Sequence, residues 1–247
     1  MLRIENLSVS FRRHQGGRTT PLKGVSLNVA RGELVGLIGG SGAGKSLLAE
    51  AVMGLLPRNA EVAGSLSVDG QALRPGAPLP TGVLALAPQG IDALDPLARV
   101  GTQMERFARL AHRSVDAPAL MRSLGLSAAA ARAYPHELSG GMAKRALIAT
   151  ALASGAKLLI ADEPTLGLDP DLADSLMALL GRLAEQGTGV LLISHDLPRL
   201  VALSERVTIL QEGAMVETAP ASAFADGTLQ HPFSRELWAA QTWSEAC

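Results

Sequence analysis

Residues Gly39-Gly40-Ser41-Gly42-Ala43-Gly44-Lys45-Ser46 follow directly on the apolar run Leu34-Val35-Gly36-Leu37-Ile38. Ordering glycines costs conformational entropy, so this many in one short loop need a physical reason. A glycine-rich turn between a strand and a helix can wrap backbone N–H groups around an anion, because no Cβ blocks the approach of the main chain. A helix starting near Lys45 adds the positive end of its dipole. Lys45 supplies a mobile charge for outer phosphates, and Ser46 a hydroxyl ligand for Mg²⁺. This Gly-x4-Gly-Lys-Ser pattern is the Walker A pattern. It nominates Gly39, Gly40, Ser41, Gly42, Ala43, Gly44, Lys45, Ser46 and Leu47 as a nucleotide cradle.

A second constellation is Leu158-Leu159-Ile160-Ala161-Asp162-Glu163. A buried strand that ends in two adjacent carboxylates is expensive unless a cation or a proton transfer uses them. Asp162 would hold Mg²⁺ through water, and Glu163 would face an attacking water as general base. The bland alternative is a strand running into a solvated Asp-Glu-Pro turn, and the phosphate loop upstream weighs against it. A third is Leu138-Ser139-Gly140-Gly141-Met142, where Ser139 can cap the next helix and the glycines bare its first N–H groups. One nucleotide does not need two cradles. Either this loop is simply a capped helix, or Ser139, Gly140 and Gly141 face the γ-phosphate held by a second subunit.

The elements that must position these groups can be read from the hydropathy pattern. Strands are expected at Leu2 to Phe11, Leu22 to Val29, Glu33 to Ile38, Glu61 to Gly70, Val83 to Ala87, Leu158 to Ala161 and Val190 to Ile193. Helices are expected at Lys45 to Gly54, over about Val100 to Arg132 with Pro118 in a first turn, from Ser139 to about Ala153, and at Asp171 to Ala184. Strands alternating with helices imply an α/β fold with a mostly parallel sheet between helical layers. Lys144-Arg145 reads as helix surface. The final stretch, with Gly227, Pro232 and the two tryptophans Trp238 and Trp243, reads as an appended tail whose tryptophans pack onto the core.

The totals narrow the class. The chain has 247 residues, enough for one large domain or two small ones. A net charge of −1 gives no basic field for nucleic acid. Cys247 is the sole cysteine, so one chain cannot form an internal disulfide or a cysteine metal site; it reads as inert and frayed, and suits a reducing compartment. The N-terminus alternates like a strand rather than a signal peptide. At 47% apolar a membrane span has to be considered. The longest uncharged stretch, Pro75 to Ile91, carries Pro75, Pro78, Pro80 and Pro88, which argues against a spanning helix and for a chain that is soluble by itself.

In their order, the Walker A loop, Gln89 after a short strand, the Leu-Ser-Gly-Gly loop, the Asp162-Glu163 strand end and His195 one strand later resemble an ATP-binding-cassette (ABC) ATPase. The resemblance implies a P-loop NTPase with a RecA-like core, an N-terminal antiparallel β subdomain and an inserted α-helical subdomain at about 89–145. The cassette would span 1–224, with a tail over 225–247. ATP and Mg²⁺ are the implied cofactors. Two cassettes would sandwich two ATP molecules, each between one Walker A loop and the partner's Leu-Ser-Gly-Gly loop. Gln89 would sense the γ-phosphate and metal and couple the helical segment to the core. Leu168-Asp169 would touch the partner, His195 would contact the γ-phosphate, and Phe11 falls where an adenine-stacking aromatic often sits. Phe11 also alternates with Leu7 and Val9, which fits a core-facing ring equally, and His195 could instead be a structural residue bonded to Asp196.

The segment Tyr134 to Met142 and the tail His231-Pro232-Phe233-Ser234-Arg235 are similar to the oligopeptide, dipeptide and nickel importer ATPases. A cysteine-bearing C-terminal extension is lacking, which leans toward the shorter nickel or metal-chelate type. Gln89 to Pro96 is one residue shorter than the usual form. The resemblance further implies a second ATPase subunit (identical or paralogous), two membrane permease subunits docked between Gln89 and about Ala111, and indirectly an extracytoplasmic binding protein. It places the chain peripherally on the cytoplasmic face of the bacterial inner membrane, with no nucleic-acid partner. Rival readings are an exporter ATPase, a DNA-repair ATPase and a translation-factor ATPase. The second requires long coiled coils between Lys45 and Asp162, and the third two cassettes per chain.

Overall fold

The computed structural model describes residues 1–12, 17–74, 77, 79 and 82–242. Near the N-terminus, β1 (Leu2–Arg12) and β2 (Arg18–Val29) pair antiparallel; they join β4 (Ala60–Val68) and β5 (Gln71–Leu73) in a four-stranded sheet of order β2-β1-β4-β5. Along β1 the residues Leu2, Ile4, Leu7 and Val9 are buried while Arg3 and Glu5 are exposed, as a sheet wetted on one face requires. The step from Ile4 to Leu7 is three residues rather than two because Asn6 has a left-handed backbone (φ 49°), and the register shifts there.

The second sheet has six strands in the order β10-β9-β3-β8-β7-β6. They are β3 (Leu34–Gly39), β6 (Ala85–Ala87), β7 (Leu158–Asp162), β8 (Gly189–Ile193), β9 (Arg206–Gln211) and β10 (Ala214–Pro220). All neighbours are parallel except β9 and β10. The central strands β3, β7 and β8 are buried at every residue, so their near-continuous apolar sequences are explained by cover on both faces. Alternate residues serve the two sides. Ile38, Leu159 and Leu192 pack toward the helices, whereas Leu37, Ile160 and Leu191 pack toward the four-stranded sheet and α1 (Lys45–Met53).

The helical side holds α2 (Val100–Leu110), α3 (Ala117–Ser123), α4 (Gly140–Leu152), α5 (Pro170–Glu185) and α6 (Leu197–Leu203). The run of helical spacing expected over about Val100 to Arg132 is three pieces, α2, α3 and a closing 3₁₀ turn at Ala128–Arg132. His112 takes a left-handed backbone (φ 54°), and Asp116 starts a new helix by accepting the Ala119 N–H at 2.9 Å. Pro118 does occupy the first turn of α3, where its missing N–H is no loss.

The β9–β10 hairpin was not anticipated. Its turn residues Glu212 (φ 48°) and Gly213 (φ 80°) both adopt the positive φ that fits the twist of a tight hairpin. The end of the chain is also more structured than an appended tail, with α7 (Ser222–Ala225) and α8 (Pro232–Thr242). Trp238 packs against the helical-side core, edge-on to Phe224 with ring centres 5.5 Å apart, as expected for it. Trp243, Cys247, Pro75, Pro78 and Pro80 lie outside the described residues.

The close pairing of β3 with β9 gives Gly39 a structural reason beyond its loop. A Cβ there would lie 2.3 Å from the Leu210 carbonyl oxygen and 3.0 Å from the Ala43 Cβ. Backbone rather than a flexible side chain would have to move. Gly39→Ala is expected to destabilise the fold by about 1–3 kcal/mol, read as a lower urea midpoint. An unchanged midpoint would contradict this close-approach account.

Candidate nucleotide site

The candidate residues converge where β3, β7 and β8 end side by side, at the carboxyl edge of the parallel sheet, the place where open α/β sheets bind ligands. From Gly39 the chain turns through residues 40–44 into α1, which begins at Lys45. Gly42 (φ 75°) and Gly44 (φ 102°) hold backbone angles that other residues resist, and a Cβ on Gly44 would meet the Leu22 side chain at 2.6 Å. Ala43 is buried, and its N–H closes the turn onto the Gly40 carbonyl at 3.1 Å. No side chain caps the start of α1, so the helix presents its first N–H groups to whatever the loop enfolds. The Lys45 ammonium donates to the carbonyls of Gly39 (2.8 Å) and Gly40 (3.3 Å), which keeps it within the loop.

Asp162 ends β7 and is 6% exposed. Burial pushes its carboxyl above the usual range; a hydrogen bond from Ser46 opposes this, the neighbouring Glu163 adds to it, and Lys45 and Lys144 oppose it. Its Oδ1 is buried without a hydrogen-bond partner. A buried acceptor with no donor, linked to a hydroxyl at the head of α1, suits a cation that Ser46 and Asp162 hold together. Among the described residues no three His, Cys, Asp or Glu side chains cluster as a metal site. The chemistry of this pair therefore fits a metal that arrives with its own phosphate and water ligands, as Mg²⁺ does.

Glu163 is buried and left-handed (φ 46°), a conformation that costs a non-glycine residue about 1–2 kcal/mol. Two contacts hold it there. Its N–H donates to the Ile193 carbonyl at 2.9 Å, and its Oε2 accepts both the His195 N–H (3.2 Å) and the His195 ring Nδ1 (2.6 Å). A carboxylate oxygen accepts in such a bond, so Nδ1 carries the shared hydrogen. Of the two readings of His195, a structural bond to Asp196 is thus corrected: the partner is Glu163. Asp196 instead caps α6 by accepting the Arg199 N–H at 3.1 Å, and it pairs with the Arg199 guanidinium.

The other candidates sit apart from this cluster. Ser139 and Gly140 are exposed at the start of α4, where the Ser139 Oγ accepts the Met142 N–H at 3.4 Å. Their neighbours are Leu168 and Leu172, the latter 3.1 Å from where a Cβ on Gly141 would lie. Asp169 caps α5 by accepting the Leu172 N–H at 3.0 Å. Leu47 is half-buried on α1, with the exposed Ser41 on the loop before it. Phe11 lies near the end of β1, half-buried against the core beneath the four-stranded sheet.

Gln89 is exposed, and its carbonyl accepts a hydrogen bond from Lys144. This corrects the reading of Lys144-Arg145 as helix surface. Lys144 is 7% exposed; burial lowers the basicity of its ammonium, and Glu163 and Asp162 pull it back up. Arg145 is half-buried and donates to the Leu124 carbonyl (3.1 Å) and Ser175 Oγ (2.6 Å). The signal for Lys144 was the apolar content of α4 all around its axis, from Ala143 through Ala151, which leaves little of the helix for solvent.

The geometry agrees with the comparisons to known proteins. Residues 22–166 match the ABC transporter family model. The chain is 38% identical over 240 residues to a protein named as a peptide import ATP-binding protein in Brucella abortus, covering 91% of this chain and 71% of that one. It is 36% identical over 266 residues to the peptidoglycan transport ATP-binding protein YejF of Agrobacterium fabrum, covering 99% of this chain and 48% of that one. Among solved structures, the ATP-binding cassette MJ0796, a dimer in a post-hydrolysis state with ADP and phosphate, aligns with a TM-score of 0.76 at 25% identity, over 90% of this chain and 99% of that one. With the phosphate loop, the paired carboxylates and the histidine assembled on one sheet edge, the chain belongs to the ABC transporter family and is an ATP-hydrolysing, ATP-binding subunit of that family, with the P-loop NTPase fold.

Proposed function

We propose that this subunit energises import of a peptide-type cargo, and that Glu163 is its general base. The observation that carries the catalytic assignment is the Glu163–His195 pair at 2.6 Å beside Asp162 and Lys45. In this reading residues 39–47 hold the phosphates, Ser46 and Asp162 hold Mg²⁺, and bound Mg²⁺ neutralises phosphate charge. Glu163 takes a proton from the attacking water, while its bond to His195 fixes the direction of its carboxylate. Gln89, tied to α4 through Lys144, reports on the γ-phosphate to residues of about 89–145, which we assign as the helical subdomain.

A second cassette completes each site in this proposal. Support comes from the exposed Leu172 beside the Ser139–Gly141 loop, an apolar group that a partner would cover. Asp169 and its helix lie on the same face. The structural relatives named as dimers are in keeping with it.

Import through separate membrane subunits is supported by the relatives' names and by an apolar groove. The groove has a volume of about 460 Å³ and is lined by Met53, Leu55, Leu84, Phe107 and Leu147, among others. Leu97 (87% exposed), in the turn before α2, and Leu110 (62%), at the end of α2, stand out as large apolar side chains within the span Gln89 to about Ala111 that the family resemblance implies for docking. Among the described residues no helix is long and apolar enough to cross a membrane. The cargo reading rests on the relatives named as peptide import and oligopeptide transport ATP-binding proteins. Leu97→Glu is expected to leave basal ATPase turnover within about twofold and to reduce co-purification with the membrane subunits by about tenfold or more. Undiminished co-purification would remove this segment from the docking surface.

A further inference from the structure

We propose that the C-terminal helix α8 is a clamp on the histidine loop and that Gln241 is its jaw, a positioning residue for His195. The side-chain amide of Gln241 is used at both ends. Its Oε1 accepts the N–H of Leu197 at 2.7 Å, and its Nε2 donates to the carbonyl of His195 at 2.7 Å. Leu197 is the first residue of α6, where helix N–H groups lack partners within the helix. Asp196 satisfies the N–H of Arg199 from within its own chain turn, and Gln241 satisfies that of Leu197 from another helix.

Both peptide groups of His195 are therefore held from outside its loop. Its N–H is held by the Glu163 carboxylate and its C=O by Gln241, on either side of the ring that bonds Glu163. A clamp needs a fixed seat, and α8 has one. Phe233, Leu237 and Trp238 pack against the helical-side core. Ahead of the helix, Glu217 of β10 accepts the N–H groups of Gln230 (2.8 Å) and His231 (3.0 Å). Arg235 in the first turns of α8 donates back to the carbonyls of Leu229 (2.9 Å) and Gln230 (2.7 Å). The seat thus lies on β10 and the core, while the far end of the helix reaches the site. Lifting α8 would release the loop without touching any phosphate contact, which makes docking of this helix a control on the rate of hydrolysis rather than on nucleotide affinity.

The inference rests on the assignment of Glu163 and His195 above, and the test separates the two. Gln241→Leu removes both bonds at similar size; Gln241→Glu keeps an acceptor for Leu197 and sets a carboxylate against the His195 carbonyl. Both are expected to lower kcat about 3- to 10-fold with the KM for ATP within twofold and Tm close to the parent. In Gln241→Leu, amide hydrogen exchange of residues 195–197 is expected to speed up while exchange in β7 and β8 stays as in the parent. His195→Ala measured alongside should be slow, and adding Gln241→Leu to it should cost less than it costs the parent, since the two act through one group. Parent-like kcat in both Gln241 variants, or an equal fractional loss in the His195→Ala background, overturns the clamp while leaving the catalytic assignment standing. A fast His195→Ala enzyme overturns that assignment and the clamp with it.

Discussion

Glu163→Gln is expected to lower ATP turnover by about 10²- to 10⁴-fold while ATP still binds. The substitution keeps shape and volume in a site that is 8% exposed. An amide oxygen can still accept from the His195 N–H and ring Nδ1, so the left-handed turn at residue 163 keeps both of its anchors. What is lost is the capacity to take a proton from water. Two measurements decide it: phosphate release under single- and multiple-turnover conditions, and equilibrium binding of ATP. Turnover near that of the parent would strip Glu163 of the base role and shift attention to His195.

Lys45→Ala should act on binding itself. The ammonium donates to the Gly39 and Gly40 carbonyls, 2.8 and 3.3 Å away, and in the proposed reading these bonds are exchanged for phosphate oxygens when nucleotide enters. Charge-assisted hydrogen bonds to a multiply charged anion are about twice as strong as neutral ones, and removing the cation is expected to weaken ATP affinity about 10- to 100-fold. Turnover falls with it at any fixed nucleotide concentration. Thermal stability should change little, because Lys45 is only partly buried and the loop keeps its turn through the Ala43–Gly40 bond. Titration with a fluorescent ATP analogue reads the effect. Unchanged affinity would contradict the phosphate-loop assignment even if hydrolysis were lost. The contrast with Glu163 is the diagnostic feature: one variant separates binding from chemistry, and the other removes binding.

Local chemistry made much of this legible from residues alone. Lys45, Ser46, Asp162 and Glu163 could be nominated because glycine density and carboxylates at the end of an apolar strand are costly features wherever they occur. The strands β3, β7 and β8 announced themselves because burial on both faces leaves an uninterrupted apolar run. The β9–β10 hairpin escaped because Arg206 to Pro220 mixes polar and apolar residues, and its Glu212-Gly213 turn lacks the Asn-Gly or Asp-Gly pair that advertises such a bend. The segment from Val100 to Arg132 kept a helical composition across two breaks, so periodicity could not see where His112 turns left-handed or where Asp116 begins a new cap.

By itself the sequence determined which groups could bind phosphate and metal, and in what order along the chain they come, since those properties belong to side-chain type and to spacing within a single turn. Tertiary structure alone decided who faces whom. It paired His195 with Glu163 rather than Asp196, buried Lys144 against the Gln89 carbonyl, and brought Gln241 from the end of the chain onto the histidine loop. These partners are separated by 32, 55 and 46 residues respectively. Such pairings are set by how layers pack over the sheet, and no local pattern of hydropathy or charge encodes them.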